Sequence, residues 1–533
     1  MKKNKLIILM IAIAGIITSC GEDYFAVYPS TDVVAGAPAT ADVIEQNVTG
    51  AYQLMSFDCY SSQWMPVNMF FDICTDDLYK GGGNADDQGF MLAVAEYRST
   101  STFGATGWWS IFYAGIKRSN GALQAIENAV DGVSEELLSR LRAEALTLRA
   151  YYAHWLWKAY GNIPYFDKAW EDPPFLARQH SFEELYPILI ADLDAAIAEP
   201  ELPMSDRNGR VTKSMAMMTK ARIVMYFKDE SKYAEVLADM KTIINDGAFS
   251  LVTSAAANNF TGLISKNPDI AAPSTTNPFE WIFLRDGEHS SESIFEVNVM
   301  PEGKTWDNSW TGFGNYTPRY IGARNISDPL YVAGWGFCPV TPAAHAIFEN
   351  GDYRKEASVF EIPGYVPGSD YQGTGLALKK YIARLGYNEG TRGSRDMNYE
   401  NNKRIYRIAE AYLNAAELEL YVGGGEGAAQ PYVDAIRDRA FGTITDRIPA
   451  TLNNIKLERR REFLGEGLRF WDLVRWGSDE NGTPIGDVLT VTDLSVPISR
   501  VWDDTKKFLP IPQSNIDRTK GTEFELIQNP GYN

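Results

Sequence analysis

In the segment RLRAEALTLRAYYAHWLWKAYG, apolar residues recur at alternating spacings of four and three: Leu141, Ala145, Leu148, Tyr152, Trp155 and Ala159. That spacing lines one face of an α-helix, and Gly161 is placed to stop it. The next segment, SFEELYPILIADLDAAIAEP, opens with Ser181 and Glu184, the pair that forms a capping box at N-cap and N3. SMAMMTKARIVMYFKD and KYAEVLADMKTIINDG follow as a helix pair, the second closed by Gly247. Late in the chain, IYRIAEAYLNAAELELYVGGG puts Ile405, Ile408, Tyr412, Ala415 and Leu418 on one helical face. PYVDAIRDRAFG and NIKLERRREFLGEGLRFWDLVRWG complete this second helical part.

Between the helical parts the pattern changes. From about 259 to 402 the chain is rich in Gly, Pro, Asn, Ser and aromatics, and only SESIFEVNV and LALKKYIAR read as strands. A second loop-rich stretch runs from Phe57 to Gly107. Loops of that length inside a compact protein are functional or disordered, and the aromatic content argues against disorder. Helix pairs with small alanines at the crossing resemble tetratricopeptide-type hairpins. The fold expected is therefore mostly α, a tetratricopeptide-like hairpin scaffold with a long irregular ligand-binding region and few short strands. It divides into 41–258 (helical), 259–402 (loop-rich, ligand-binding) and 403–533 (helical, with a tail).

Residues 1–19 have the form of a secretory signal: Lys2, Lys3 and Lys5, then an apolar run from Leu6 to Ile17, too short for a membrane span. The run ends in ITSC, with the small Ser19 directly before Cys20, the lipobox pattern of bacterial lipoproteins. Cleavage there makes Cys20 the lipid-bearing first residue, and 20–40 a polar tether. It also lowers Lys plus Arg from 50 to 47 against 69 acids, a net charge of −22. Such a surface repels polyanions, so nucleic acid is not an expected partner. The remaining cysteines, Cys59, Cys74 and Cys338, show no CxxC spacing and read as buried thiols, with a Cys59–Cys74 disulfide as the alternative in an exported protein.

Recognisable catalytic motifs are missing. None of the four histidines lies in HExxH, and neither GxSxG nor GxxxxGK[ST] occurs. Glu458, Glu462 and Glu466 are spaced by four beside Arg461, Arg469 and Arg475. Helical ion pairs account for that spacing, although a glycosidase needs only two carboxylates ~5 to 10 Å apart in space, which sequence does not reveal. DICTDDLYKGGGNADD offers oxygen ligands for calcium but lacks the EF-hand spacing. No cofactor is expected; a structural calcium stays open.

The segment from Trp306 to Phe337 holds three Trp, three Tyr and two Phe among five Gly and two Pro. A sugar ring has an apolar C–H face, which a flat aromatic covers, and a hydroxyl rim, which Asn, Asp, Gln and Arg satisfy. Tyr and Trp make such contacts at low entropic cost. The candidate ligand contacts are Trp64, Trp306, Trp310, Tyr316 and Trp335, with Asn308, Asn315 and Arg319 for hydroxyls.

Several motifs together resemble the SusD/RagB family of Bacteroidetes outer-membrane lipoproteins: the lipobox cysteine followed by acids, the helix running into YGNIPYF, ERRREFLGEGLRFWDLVRWG, and FLPIPQSNID followed by QNPGY. The resemblance spans essentially the whole length. It implies four tetratricopeptide-like hairpins, surface display, and a non-catalytic role delivering glycans to a SusC-like TonB-dependent transporter. It also implies that ligand contacts come from about Asp58 to Gly107 and from Gly303 to Phe337. A peptide-binding member of the same family is the runner-up, and a surface glycoside hydrolase a distant third.

Overall fold

The computed structural model describes residues 37–532 apart from 61–62, 65, 67–68, 170–174, 207, 256–274, 309–311, 444–446 and 494–495. The signal segment and Cys20 lie outside the described residues, as does Trp310. Among the described residues no helix is long and apolar enough to cross a membrane.

Ten longer helices form the frame. The first six are α1 (Ala41–Tyr52), α2 (Thr106–Glu127), α3 (Glu135–Tyr160), α4 (Phe182–Ala198), α5 (Lys213–Phe227) and α6 (Tyr233–Asn245). The last four are α7 (Ile408–Tyr421), α8 (Gly425–Phe441), α9 (Leu452–Phe463) and α10 (Arg469–Trp476). Neighbours in sequence pack as neighbours in space from α2 to α6. Helix α7 then docks on α6 and pairs with α8, and α10 returns to α5. The local signals act as read. Ser181 Oγ accepts the Glu184 amide while the Glu184 carboxylate accepts the Ser181 amide, and Gly161 ends α3 at φ 66°.

Helix α3 is buried nearly all round from Ala143 to Tyr160, beyond the single stripe that its periodicity suggests. It is covered by α1, α2, α4 and α5 together. One helix reading and one strand reading are corrected. Ile405 belongs to a strand, Lys403–Arg407, and α7 begins only at Ile408. That strand pairs antiparallel with Ser293–Val297, so cross-strand hydrogen bonds override the helical periodicity at Ile405. In LALKKYIAR only Leu376–Leu378 is extended, paired with Val359–Glu361, and the chain then turns.

The acidic residues around α9 are structural, by a different route from the one expected. Glu462 is fully buried and accepts from Arg407 Nη1 at 2.9 Å and Arg439 Nη2 at 2.6 Å, both from other elements. Glu458 binds Arg437, Arg354 and Arg461, only the last on its own helix. Glu466 lies past the helix end and takes Arg407 and Lys380. One strand, two other helices and the turn at Lys380 are thereby clamped onto the C-terminal helix and the residues just after it.

Candidate functional site

Trp64 ends a two-strand antiparallel hairpin, β1 (Cys59–Tyr60) with β2 (Gln63–Trp64). Neighbouring Gln63 donates to the Gly104 carbonyl and accepts the Gly107 amide, both at 2.8 Å, which ties the hairpin to the start of α2. The Trp64 amide donates to Gln88 Oε1 at 3.1 Å, and the Tyr320 hydroxyl donates to the Trp64 carbonyl at 3.3 Å. The tryptophan backbone is thus fixed from two loops.

Trp335 comes from the other loop region. Its amide donates to the Arg319 carbonyl at 2.9 Å, and its own carbonyl accepts Arg324 Nη1 at 2.8 Å. The glycines on either side explain the composition of this segment. A Cβ on Gly334 would lie 2.3 Å from Gly322 Cα, so two backbones cross where no side chain fits. Gly81 has φ +69°, and a Cβ there would meet the Gly336 carbonyl at 2.2 Å. Through this second crossing the 81–88 loop joins the Trp335 loop, with Gly82 N–H donating to Gly336 O at 2.8 Å.

Trp306 stands on a turn closed by reciprocal Thr305–Asn308 backbone bonds of 3.1 Å. The Asn398 side chain holds the preceding Lys304 backbone by both its N–H and its carbonyl.

These elements bring Trp64, Trp306 and Trp335 into one cluster. Ring centroids are 6.0 Å apart for Trp64–Trp306, 5.5 Å for Trp64–Trp335 and 5.7 Å for Trp306–Trp335. The planes are inclined at 50°, 90° and 40°, so the surface is a bent trough and not a flat shelf. Trp306 is 58% exposed, and Trp64 and Trp335 are half-buried.

Two nominated residues are corrected from ligand contact to support. Tyr316 is fully buried under Trp64, edge to face at 4.6 Å, and its hydroxyl donates to the Asp58 carbonyl at 2.5 Å. Asn315 is also buried, donating to the Asn401 carbonyl and accepting the Thr317 amide. Asn315 is held inside because the turn before Thr317 needs its polar groups satisfied internally, and Tyr316 packs beneath Trp64. Asn308 is exposed beside Trp306, and Arg319 is half-buried with Nε 3.4 Å from the Asp396 carboxylate.

Lys80, which the sequence reading passed over, joins the cluster through Phe337, whose ring stacks on Tyr320 beside Trp335. Lys80 donates to the Asn84 carbonyl at 2.7 Å and lies over the Phe337 and Tyr371 rings at 5.4 and 5.2 Å. Burial brings its amine down to about 8. Phe313 and Phe103 are 51% and 53% exposed. A lone ring among Ser, Thr and Gly, as in STFGATG, was the available signal for Phe103. An apolar groove of about 320 Å³ lined by Trp109, Tyr113, Phe166, Phe175 and Leu526 lies against α2 and the C-terminal tail, away from every nominated residue. Among the described residues no group of three or more His, Cys, Asp or Glu is arranged to hold a metal. Cys59, Cys74 and Cys338 are buried.

The fold has close parallels. Surface glycan-binding protein A from Bacteroides fluxus is 41% identical, with a TM-score of 0.82 over 93% of this chain and 100% of that one. The chain belongs to the SusD family. The SusD family model matches residues 363–532, and a second, described as starch-binding associating with outer membrane, matches 42–225. Surface glycan-binding protein A from Bacteroides thetaiotaomicron, solved in complex with laminarihexaose, is 32% identical with a TM-score of 0.79, covering 92% of this chain and 100% of that one. A laminarin binding SusD-like protein is 25% identical with a TM-score of 0.73, covering 93% and 100%. The SusD-like helical scaffold read from the sequence is therefore the architecture of this chain.

Proposed function

We propose that this protein is a surface-displayed, non-catalytic glycan-binding lipoprotein that captures β-1,3-glucan of the laminarin type. It then passes the chain to a SusC-like TonB-dependent transporter in the outer membrane. The observation that carries the reading is the bent, solvent-open trough of Trp64, Trp306 and Trp335. Inclined rings suit a curved β-1,3-linked chain, whose successive glucose faces turn, better than a flat β-1,4-linked one. The laminarihexaose complex of a 32% identical relative supports the same ligand class. Exposed or half-buried rings offer apolar contact to C–H faces, while Asn308 and Arg319 stand near for hydroxyls. The carboxylates around α9 are committed to arginines, which supports binding without hydrolysis.

The test is calorimetry of the purified protein against laminarin, laminari-oligosaccharides, starch, cellulose oligomers and a peptide mixture. The reading expects binding to laminarin chains, weakened by Trp306→Ala, with no release of reducing ends. Binding of peptides alone overturns the glycan reading. Hydrolysis abolished by one carboxylate substitution overturns the non-catalytic one.

A further inference from the structure

Five helices converge on a cavity of about 30 Å³. Its polar lining is Lys158 at the end of α3, Arg222 on α5, Glu410 and Asn414 on α7, Arg459 on α9, and Asp472 and Arg475 on α10. The arginines are matched. Arg222 forms a two-point bond with Glu410 at 2.8 and 2.7 Å. Arg459 reaches Asp472 at 2.6 Å and the Asn414 side-chain carbonyl at 2.7 Å. Arg475 takes the other Asp472 oxygen at 2.8 Å and both oxygens of Glu417. Three guanidinium groups thus face three carboxylates.

Lys158 is the cation left over. It is 2% exposed, and among the described residues it has neither a hydrogen bond nor an ion pair. Its Nζ lies 4.5 and 4.6 Å from the ring centroids of Trp155 and Trp471. Aromatic faces attract a cation but do not neutralise it. A second donor borders the same space: the buried indole N–H of Trp471 has no acceptor among the described residues. Unsatisfied buried donors and an unpaired buried charge are both costly.

We propose that this cavity is a binding site for a single small inorganic anion, chloride in an external medium, held by Lys158 and the Trp471 indole N–H. The volume suits the assignment. One water needs ~10 to 15 Å³ of such space, so about 30 Å³ has room for a single halide ion and none for a large organic anion. The anion supplies the missing negative charge at the junction where α10 returns to α3 and α5, and so ties the C-terminal helices to the N-terminal ones. Without it, burial first and then Arg222 press the Lys158 amine far below its ordinary range and toward the neutral form.

The experiment compares thermal unfolding of the purified full chain in detergent, in sodium chloride, sodium bromide and sodium gluconate at matched ionic strength. Gluconate is too large for the cavity. Binding to the folded state alone raises the melting temperature with halide concentration. The expected result is a saturable upward shift with chloride and bromide, absent with gluconate and lost in Lys158→Met. If that variant does not fold, crystals of the unaltered protein soaked in bromide decide the matter, with an anomalous peak expected beside Lys158 Nζ. Equal melting in chloride and gluconate, or no bromide peak in the cavity, overturns the proposal and leaves a neutral amine with water. None of these outcomes depends on which glycan the trough takes.

Discussion

Trp64 and Trp335 meet edge to face, with ring centroids 5.5 Å apart and planes at 90°. One sits on a hairpin near the start of the chain, the other in a glycine-rich loop far along it. Their contact makes a single surface from two loop regions that the helices alone do not bring together. Its rigidity comes from backbone crossings at Gly81–Gly336 and Gly322–Gly334, where the missing Cβ atoms let the loops touch.

Trp306 completes the trough and is 58% exposed. Trp306→Ala is expected to leave the melting temperature near native, because little apolar area leaves the core. Loss of a hot-spot ring costs ~2 kcal/mol or more of binding, about a thirtyfold rise in Kd at 1.4 kcal/mol per decade. Calorimetry with a laminari-oligosaccharide beside a melting curve checks this. A fall in stability without specific weakening of binding would place Trp306 in packing.

Tyr316 predicts the reverse. It is fully buried beneath Trp64. Tyr316→Ala is expected to cost ~3 to 5 kcal/mol of stability through the cavity left behind. Tyr316→Phe keeps the ring and removes only the hydrogen bond to the Asp58 carbonyl, a loss of about 1 kcal/mol. Denaturant midpoints for the pair separate the two contributions. A Tyr316→Ala variant of native stability and lost affinity would return this residue to the ligand surface.

The contrast between Trp306 and Tyr316 shows where the sequence is readable. Helices with caps and stops, such as Ser181–Glu184 and Gly161, are specified by neighbours within one turn, and the chain carries those signals openly. The tryptophan trough is assembled across long separations, so composition marks the segment but not the direction each ring faces. Asn315 and Asn308 look alike in the string, yet one satisfies the buried backbone and the other meets solvent. Ile405 fits a helical stripe until the strand Ser293–Val297 pairs with it. The Glu458–Glu462 spacing pointed to pairs along one helix, whereas the guanidinium groups arrive mostly from other elements.

Glu462 is therefore more critical than its helical spacing suggests. Glu462→Gln leaves buried Arg439 with Glu292 as its one remaining carboxylate among the described residues, and buried Arg407 with Glu292 and Glu466. Breaking a buried pair from one side costs ~3 to 5 kcal/mol. Chemical denaturation is expected to show a loss of that order, with glycan affinity retained in whatever remains folded. A near-neutral change would mean that solvent reaches the cluster.

Cys20 and its lipobox lie outside the described residues, and their role is tested in cells. Cys20→Ala is expected to move the protein from the membrane fraction to the soluble one, since a lipidated cysteine is the proposed anchor. Continued sedimentation with membranes after a high-salt wash, in a strain lacking the transporter, would remove the anchor from the account.

The acid limb of stability is expected to come in part from Asp76. Its carboxylate is bonded to Arg469 at 2.9 and 3.0 Å and to Arg460 at 2.7 Å. Burial works to raise its pKa, but the Arg469 and then the Arg460 charge overcome this and hold it at about 2, below the ordinary 3.8. A folded-state value below the unfolded one contributes stability that is present above the unfolded pKa and lost as pH falls through the folded one. The window is thus from about pH 4 down to about 2, and the size is about 2 kcal/mol at 1.36 kcal/mol per unit. Neighbouring Asp77 is raised by burial and opposes part of the effect. The location links this to the tryptophan trough, because the Asp76 and Asp77 carbonyls accept from Thr341 and lead directly into the loop that crosses Gly336. Acid unfolding followed with Asp76→Asn as the comparison is expected to show a shallower loss between pH 4 and 2 in the variant, from a lower starting stability. Identical acid limbs in the two proteins would show that the Arg460–Arg469 clamp does not depend on the Asp76 charge.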